Sequence, residues 1–113
     1  MHELCLTEGL LRVVLEHAES AQARCVSHIN LVMGEMSGIV CDSVQFCFDL
    51  LSKDTIADGA KLSFRFEPME VSCRMCGTIF PLNQSGWDCP SCHEWDAQIV
   101  SGHEFYVESI EVD

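Results

Sequence analysis

A chain of 113 residues with 48% hydrophobic side chains can bury one compact core and support a small metal-stapled appendage. Its 18 acidic and 6 basic residues give a net charge of −12 and argue against nucleic acid as a partner, because phosphate backbones are gripped by Lys and Arg. No apolar run can span a bilayer, and Met1-His2-Glu3-Leu4-Cys5-Leu6 lacks the basic start and unbroken apolar stretch of a secretory signal, so the expected setting is the reducing cytoplasm.

The first expected element is an amphipathic helix from about Leu4 to Ala23. Leu10, Val14, His17 and Ala21 share a stripe, with Val13 beside it and Glu8, Arg12, Glu16 and Glu19 on the wetter side. Val26 to Met33 then alternates. Ile29, Leu31 and Met33 form a buried face, and His28, Asn30 and Val32 a wetter one. Gly34 to Gly38 reads as a loop. Asp42 with Gln45 three residues later resembles a capping box that opens a second helix. Its apolar stripe is Val44, Cys47, Phe48 and Leu51, flanked by Phe46 and Leu50, and it ends near Ser52. Asp58-Gly59 marks a turn. Lys61 to Glu67 alternates as a strand with Leu62, Phe64 and Phe66 buried, and Pro68 stops it. A cysteine-rich module follows from about Val71 to Val100, with Pro81 to Gly86 as a loop at its middle. The last element, Glu104 to Val112, is strand-like. Phe105 and Val107 face one way and Ile110 and Val112 the other, so a bulge is expected near Glu108.

This order defines an α+β fold: a small three-stranded sheet covered by two helices, with an inserted four-cysteine zinc-knuckle or ribbon module. The expected boundaries are an α/β domain over 1–70, completed by a C-terminal strand in 101–113, and a metal module over 71–100. The helical crossover allows the first two strands to be parallel neighbours.

Cys73, Cys76, Cys89 and Cys92 form two C-x-x-C pairs separated by twelve residues. Each pair can hold two thiolates on one tight turn, and two facing turns make a tetrahedral sulfur cage suited to Zn²⁺. Gly77 can supply a positive φ after the first pair, and Pro90 fixes φ inside the second. Four cysteine ligands close the shell, so the site reads as structural. A reducing compartment favours metal over two disulfides. Tetrahedral sulfur also suits iron, and the spacing leaves that alternative open. Cys5, Cys25, Cys41 and Cys47 lack ligand spacing and are expected as small buried hydrophobes.

The start of the chain offers a second metal site. A bulky residue at position 2 predicts that Met1 is retained. The α-amine, the His2 amide nitrogen and the His2 imidazole can then chelate one ion, and Glu3 can add a ligand. Several nitrogens in one plane suit Ni²⁺ or Cu²⁺ over Zn²⁺.

Met1-His2-Glu3-Leu4 opening a helix, the C-x₂-C-x₁₂-C-x₂-C-His pattern and the closing Ser109-Ile110-Glu111-Val112 resemble the HypA/HybF family of hydrogenase nickel-incorporation proteins. The likeness runs over the whole chain. It implies a metallochaperone that delivers Ni²⁺ to the large-subunit precursor of [NiFe]-hydrogenase, working with a maturation GTPase. It implies nickel at His2 in the 1–70 domain and structural zinc at Cys73, Cys76, Cys89 and Cys92; Glu3 matches the motif, and the chelate argument adds Met1 and Glu3 as candidate nickel co-ligands. Some family members carry a histidine beside the first knuckle. Here Thr78 follows Gly77 and only His93 adjoins a cysteine, which argues against exchange of cysteine for histidine at the zinc.

Two alternatives compete with the nickel carrier. One is a zinc-ribbon interaction module without nickel. The other is a rubredoxin-like electron carrier with iron in the cage. No nucleophile–base pair and no phosphate loop is present, so an enzyme is not expected. His103 and Cys5 could contribute to nickel but read first as structural, and His17, His28, His93 and His103 are where the site would be sought if the N-terminus did not bind. Homo-oligomerisation is left open.

Overall fold

The computed structural model describes residues 3–82 and 86–113. In chain order the elements are α1 (Glu3–Ser20), β1 (Val26–Gly34), α2 (Cys41–Leu51), β2 (Lys61–Glu67), β3 (Glu70–Cys73), β4 (Ile79–Pro81), β5 (Ala97–Ser101) and β6 (Phe105–Val112). Two three-stranded sheets result, ordered β2-β1-β6 and β4-β3-β5. The chain divides into two compact units. One comprises Met1–Val32, Gly38–Arg65 and Tyr106–Asp113, and the other Met33–Ser37 and Phe66–Phe105.

In the first unit, α1 buries Thr7, Leu10, Val14 and Ala18. These stand at i, i+3, i+7 and i+11, one helical face. The expected stripe through His17 and Ala21 is therefore wrong: both are exposed, and Val13 is exposed as well. Apolar side chains surround much of α1, so periodicity alone did not select the face. Thr7 tolerates burial because its hydroxyl donates to the Glu3 carbonyl one turn back, 2.5 Å away. The helix stops at a left-handed Gln22, φ 56°, with Gln22 N–H donating to Glu19 and Ala23 N–H to Ala18. That double closure satisfies carbonyls left over at the helix end.

α2 packs on α1 and buries Val44 and Phe48. No capping box forms. Val40 is the N-cap and makes no side-chain cap bond, while Asp42 lies inside the first turn. Gln45 instead donates to Asp49 and accepts the Leu62 N–H, tying α2 to β2. The helix ends at Ser52, as expected.

β1 is the central strand of its sheet. Val26, Ile29, Leu31, Val32 and Met33 are all buried along it. Placing Val32 on a wet face was thus incorrect, since a central strand can be covered on both sides. β6 runs antiparallel to β1. Arg24 N–H donates to the Asp113 carbonyl, Asp113 N–H to Cys25, Ser27 Oγ to Glu111, and Asn30 Nδ2 to Ser109 Oγ. Residue numbers fall on one strand as they rise on the other. Phe105, Val107 and Ile110 are half-buried on β6, so the phase changes between Val107 and Ile110; Val112 is exposed. β2 has the expected bounds, but Phe66 is 55% exposed rather than buried. It sits on an outer strand, where cover is thinner.

In the second unit, β3 pairs antiparallel with β4 (Val71↔Phe80, Ser72↔Ile79) and with β5 (Ser72↔Gln98, Cys73↔Ala97). An irregularity between Glu70 and Val71 shifts the β3–β5 register. These strands had not been expected within the module, whose loop at Asn83, Gln84 and Ser85 lies outside the described residues. Met33–Ser37 joins this unit through main-chain bonds. Gly34 N–H donates to Glu104, Glu35 N–H to Glu67 and Met36 N–H to Gly102, while the Glu35 carboxylate accepts the Met69 N–H.

Gly34 has a steric reason to be glycine. A Cβ there would collide with backbone atoms of Gly102 and His103. Neither can yield as a flexible side chain would. Gly34→Ala is expected to cost about 2 kcal/mol or more, read as a lower midpoint in urea. Gly38→Ala meets open space but keeps a φ of 72°, so its expected cost is smaller, about 1 kcal/mol.

Candidate metal centre

The second unit builds its site from two turns of the same design. After β3, Gly77 N–H donates to the Cys73 carbonyl and Cys73 N–H to Thr78. In the second turn, His93 N–H donates to Cys89 and Cys89 N–H to Glu94. Each turn closes on a left-handed residue after its second cysteine, Gly77 at φ 81° and His93 at φ 67°. The first is glycine, for which this conformation carries no Cβ penalty. The second is a histidine held there by the turn, at some conformational cost. His93→Gly is therefore expected to keep the metal and raise thermal stability slightly, whereas the β-branched His93→Val should lower it. Metal content and melting temperature of the two variants check this.

The turns face each other. The four sulfurs of Cys73, Cys76, Cys89 and Cys92 lie within 4.8 Å of one another. Cys73 and Cys92 Sγ are 3.5 Å apart, as are Cys76 and Cys89 Sγ. Four sulfurs about 2.3 Å from one tetrahedral ion are separated by about 3.8 Å, so the arrangement fits a metal closely. All eight cysteines are free thiols. Cys73 and Cys89 are buried with Val71 and Phe80, and Leu82, Cys92 and Ala97 pack around them. The ligands are thus also the core of the unit.

The surrounding dipoles prepare the sulfurs for a cation. Burial pushes the Cys89 thiol up, but the N–H groups of Cys92 and Ser91 and the adjacent thiols outweigh it and pull it down to about 6. The Thr78 hydroxyl, 3.1 Å away, lowers Cys76. A hydrogen bond from the Glu94 backbone favours the Cys92 thiolate, but burial and three neighbouring thiols prevail and push it up to about 12. Thiolates packed this closely repel one another. A divalent cation removes that repulsion and takes all four as thiolates. Thr78 and the Ser91 N–H were not singled out from sequence; a hydroxyl two residues after a knuckle cysteine is the signal that could have marked Thr78.

Among the described residues, these cysteines form the only gathering of three or more His, Cys, Asp or Glu side chains placed for a metal. Glu3 is half-buried at the start of α1 and lines an open cavity of about 420 Å³ with Leu4, Asp42, Ser43, Phe46 and Cys47. Met1 and His2 lie outside the described residues. Cys5, His17, His93 and His103 are exposed, and half-buried His28 is hydrogen-bonded with Ser63. The expectation that the four remaining cysteines are buried is corrected. Cys5 is exposed, and Cys25, Cys41 and Cys47 are half-buried. Cys25 donates to the Asp113 carboxylate, 3.3 Å away, which raises its thiol.

Fold and site define a small α+β protein with a four-cysteine centre arranged to hold a metal ion. A family model described as "Hydrogenase/urease nickel incorporation, metallochaperone, hypA" matches residues 1–112, and the chain belongs to this HypA family. The hydrogenase maturation factor HypA of Dehalococcoides mccartyi is 53% identical over 113 residues, covering 100% of this chain and 95% of the relative. The solution structure of a HypA protein superimposes with a TM-score of 0.81 at 25% identity, over 99% of this chain and 96% of the other. The solution structure of the Ni metallochaperone HypA from Helicobacter pylori shares the fold, with a TM-score of 0.72 at 24% identity, over 99% and 97%. The family's work, nickel incorporation during hydrogenase maturation, is the function of this chain.

Proposed function

We propose that Zn²⁺ resides permanently at Cys73, Cys76, Cys89 and Cys92, and that Ni²⁺ is carried as cargo at the N-terminus. The observation that supports this division is the closed sulfur shell. All four ligands gather around one point, two of them buried in the core. A cage of that kind leaves no open position for an ion that must be handed on. Cargo needs exchangeable donors near solvent. Met1, His2 and Glu3 offer an amine, an amide nitrogen, an imidazole and a carboxylate in consecutive positions. The recipient is the large-subunit precursor of [NiFe]-hydrogenase in the cytoplasm. A maturation GTPase assists, and GTP hydrolysis belongs to that partner, because this chain acts as a carrier and not as an enzyme.

Metal analysis of the untagged protein tests the assignment, as isolated and after nickel loading. The expected result is one zinc per chain before loading and one added nickel afterwards. A chain that takes no stoichiometric nickel is an interaction module instead. A coloured, iron-containing protein is an electron carrier.

A further inference from the structure

The second knuckle carries two tryptophans on its outer side. Trp95 is 74% exposed and Trp87 is 40% exposed. Exposed indoles offer flat aromatic faces to a partner. Carboxylates adjoin both in the chain: Asp88 follows Trp87, and Glu94 and Asp96 bracket Trp95. In the first knuckle, Cys73 N–H meets Thr78, and the arms continue as Ser72↔Ile79 and Val71↔Phe80. In the second, Cys89 N–H meets Glu94 in the same way. That bond closes the turn between the segments Trp87-Asp88 and Glu94-Trp95-Asp96. Asp88, Glu94 and Asp96 are all exposed.

The charge balance says what can cover this surface. Arg74 is the only Lys or Arg within 33–37 and 66–105, and it already lies 3.6 Å from Asp96. Four thiolates around one divalent ion add a further net charge of about −2. Phosphate-rich partners and anionic membranes are repelled by such a surface. A guanidinium or ammonium is attracted twice, by the indole face and by the neighbouring carboxylates.

We propose that Trp87, Asp88, Glu94, Trp95 and Asp96 form a docking surface for a basic protein segment, whose Lys or Arg side chains lie against the two indoles. The surface uses none of Met1, His2 or Glu3. It rests on the metal-centre reading only in that the ion holds the knuckle in shape.

The chain has only these two tryptophans, so its tryptophan fluorescence reports on this surface alone. The test uses the zinc-loaded full chain and a synthetic twelve-residue peptide bearing four Arg and two Leu, with a partner peptide in which every Arg is Glu. The Arg peptide is expected to shift the emission saturably and to lose affinity as salt rises; the Glu peptide is expected to do nothing. Trp95→Ala, and separately the Asp88→Asn/Glu94→Gln pair, should each weaken binding roughly tenfold. Glu8→Gln/Glu16→Gln removes the same charge from exposed positions of α1 and should leave affinity unchanged. Equal weakening by both charge pairs would reduce the effect to general attraction to a polyanion and overturn the proposal. So would an emission that never responds. Zinc analysis of every variant distinguishes loss of docking from loss of the metal centre.

Discussion

Cys73→Ala and Cys89→Ala are each expected to strip the chain of its resident metal and to melt the second unit while the first stays folded. The reason is double duty. Both residues are ligands, and both are almost fully buried, at 2% and 1% exposure, in a cluster whose other buried members are Val71 and Phe80. Three short strands of three to five residues around that cluster bury too little apolar surface to hold themselves. Metal binding therefore supplies most of the folding energy; structural zinc contributes about 10–16 kcal/mol in small modules. The first unit has its own core in Leu10, Val14, Ile29, Leu31, Val44 and Phe48 and does not draw on the metal. Cys76→Ala is a useful contrast, because Cys76 is exposed. It should weaken metal binding with less damage to packing. Zinc analysis and amide NMR spectra read both effects: resonances of 66–105 should collapse while those of α1 and α2 stay dispersed. Full zinc and an unchanged second unit in Cys73→Ala would contradict the assignment. Acid should act in the same direction, since protons compete with the metal for thiolates.

The metal centre was legible because its chemistry is local. Two C-x-x-C pairs are four letters at fixed spacing, and Gly77 after the first pair already hinted at a left-handed turn. β2 was legible because seven alternating residues stop at a proline. The exposed surface of Phe66 was not legible, because alternation shows which residues share a face, not whether anything covers it. The face of α1 was ambiguous for a related reason. Thr7 is polar by type but buried once its hydroxyl bonds to Glu3, while apolar Val13 stays in water. The strands of the second unit are shorter than any window in which a period can be measured. The recruitment of Met33–Ser37 depends on residues nearly seventy positions away, through Gly34 against Gly102 and Glu104. Periodicity contains no such long-range term.

The sharpest expected contrast is between the two metals. His2→Ala should remove stoichiometric nickel binding and leave zinc at one per chain. An N-terminal extension that converts the α-amine to an amide should do the same. Each change deletes one arm of a chelate. The arms left behind lose the high effective concentration that the missing donor provided, so a loss of roughly a hundredfold or more is expected. Neither change touches the sulfur cage, which lies in a different unit and is complete without the N-terminus. Unfolding would reduce both metals together, whereas loss of a specific site reduces nickel alone. Hydrogenase maturation should follow nickel and not zinc. The measurement is parallel nickel titration and zinc analysis on wild type, His2→Ala and the extended form. Glu3→Gln belongs in the series because Glu3 follows His2 directly and begins α1, where its main-chain carbonyl accepts from Thr7. An intermediate loss in Glu3→Gln would place its carboxylate in the nickel shell. Undiminished nickel binding in both His2→Ala and the extended form would falsify the N-terminal assignment. The cargo would then have to be sought among His17, His28, His93 and His103, of which only His28 is drawn partly into the protein, by Ser63.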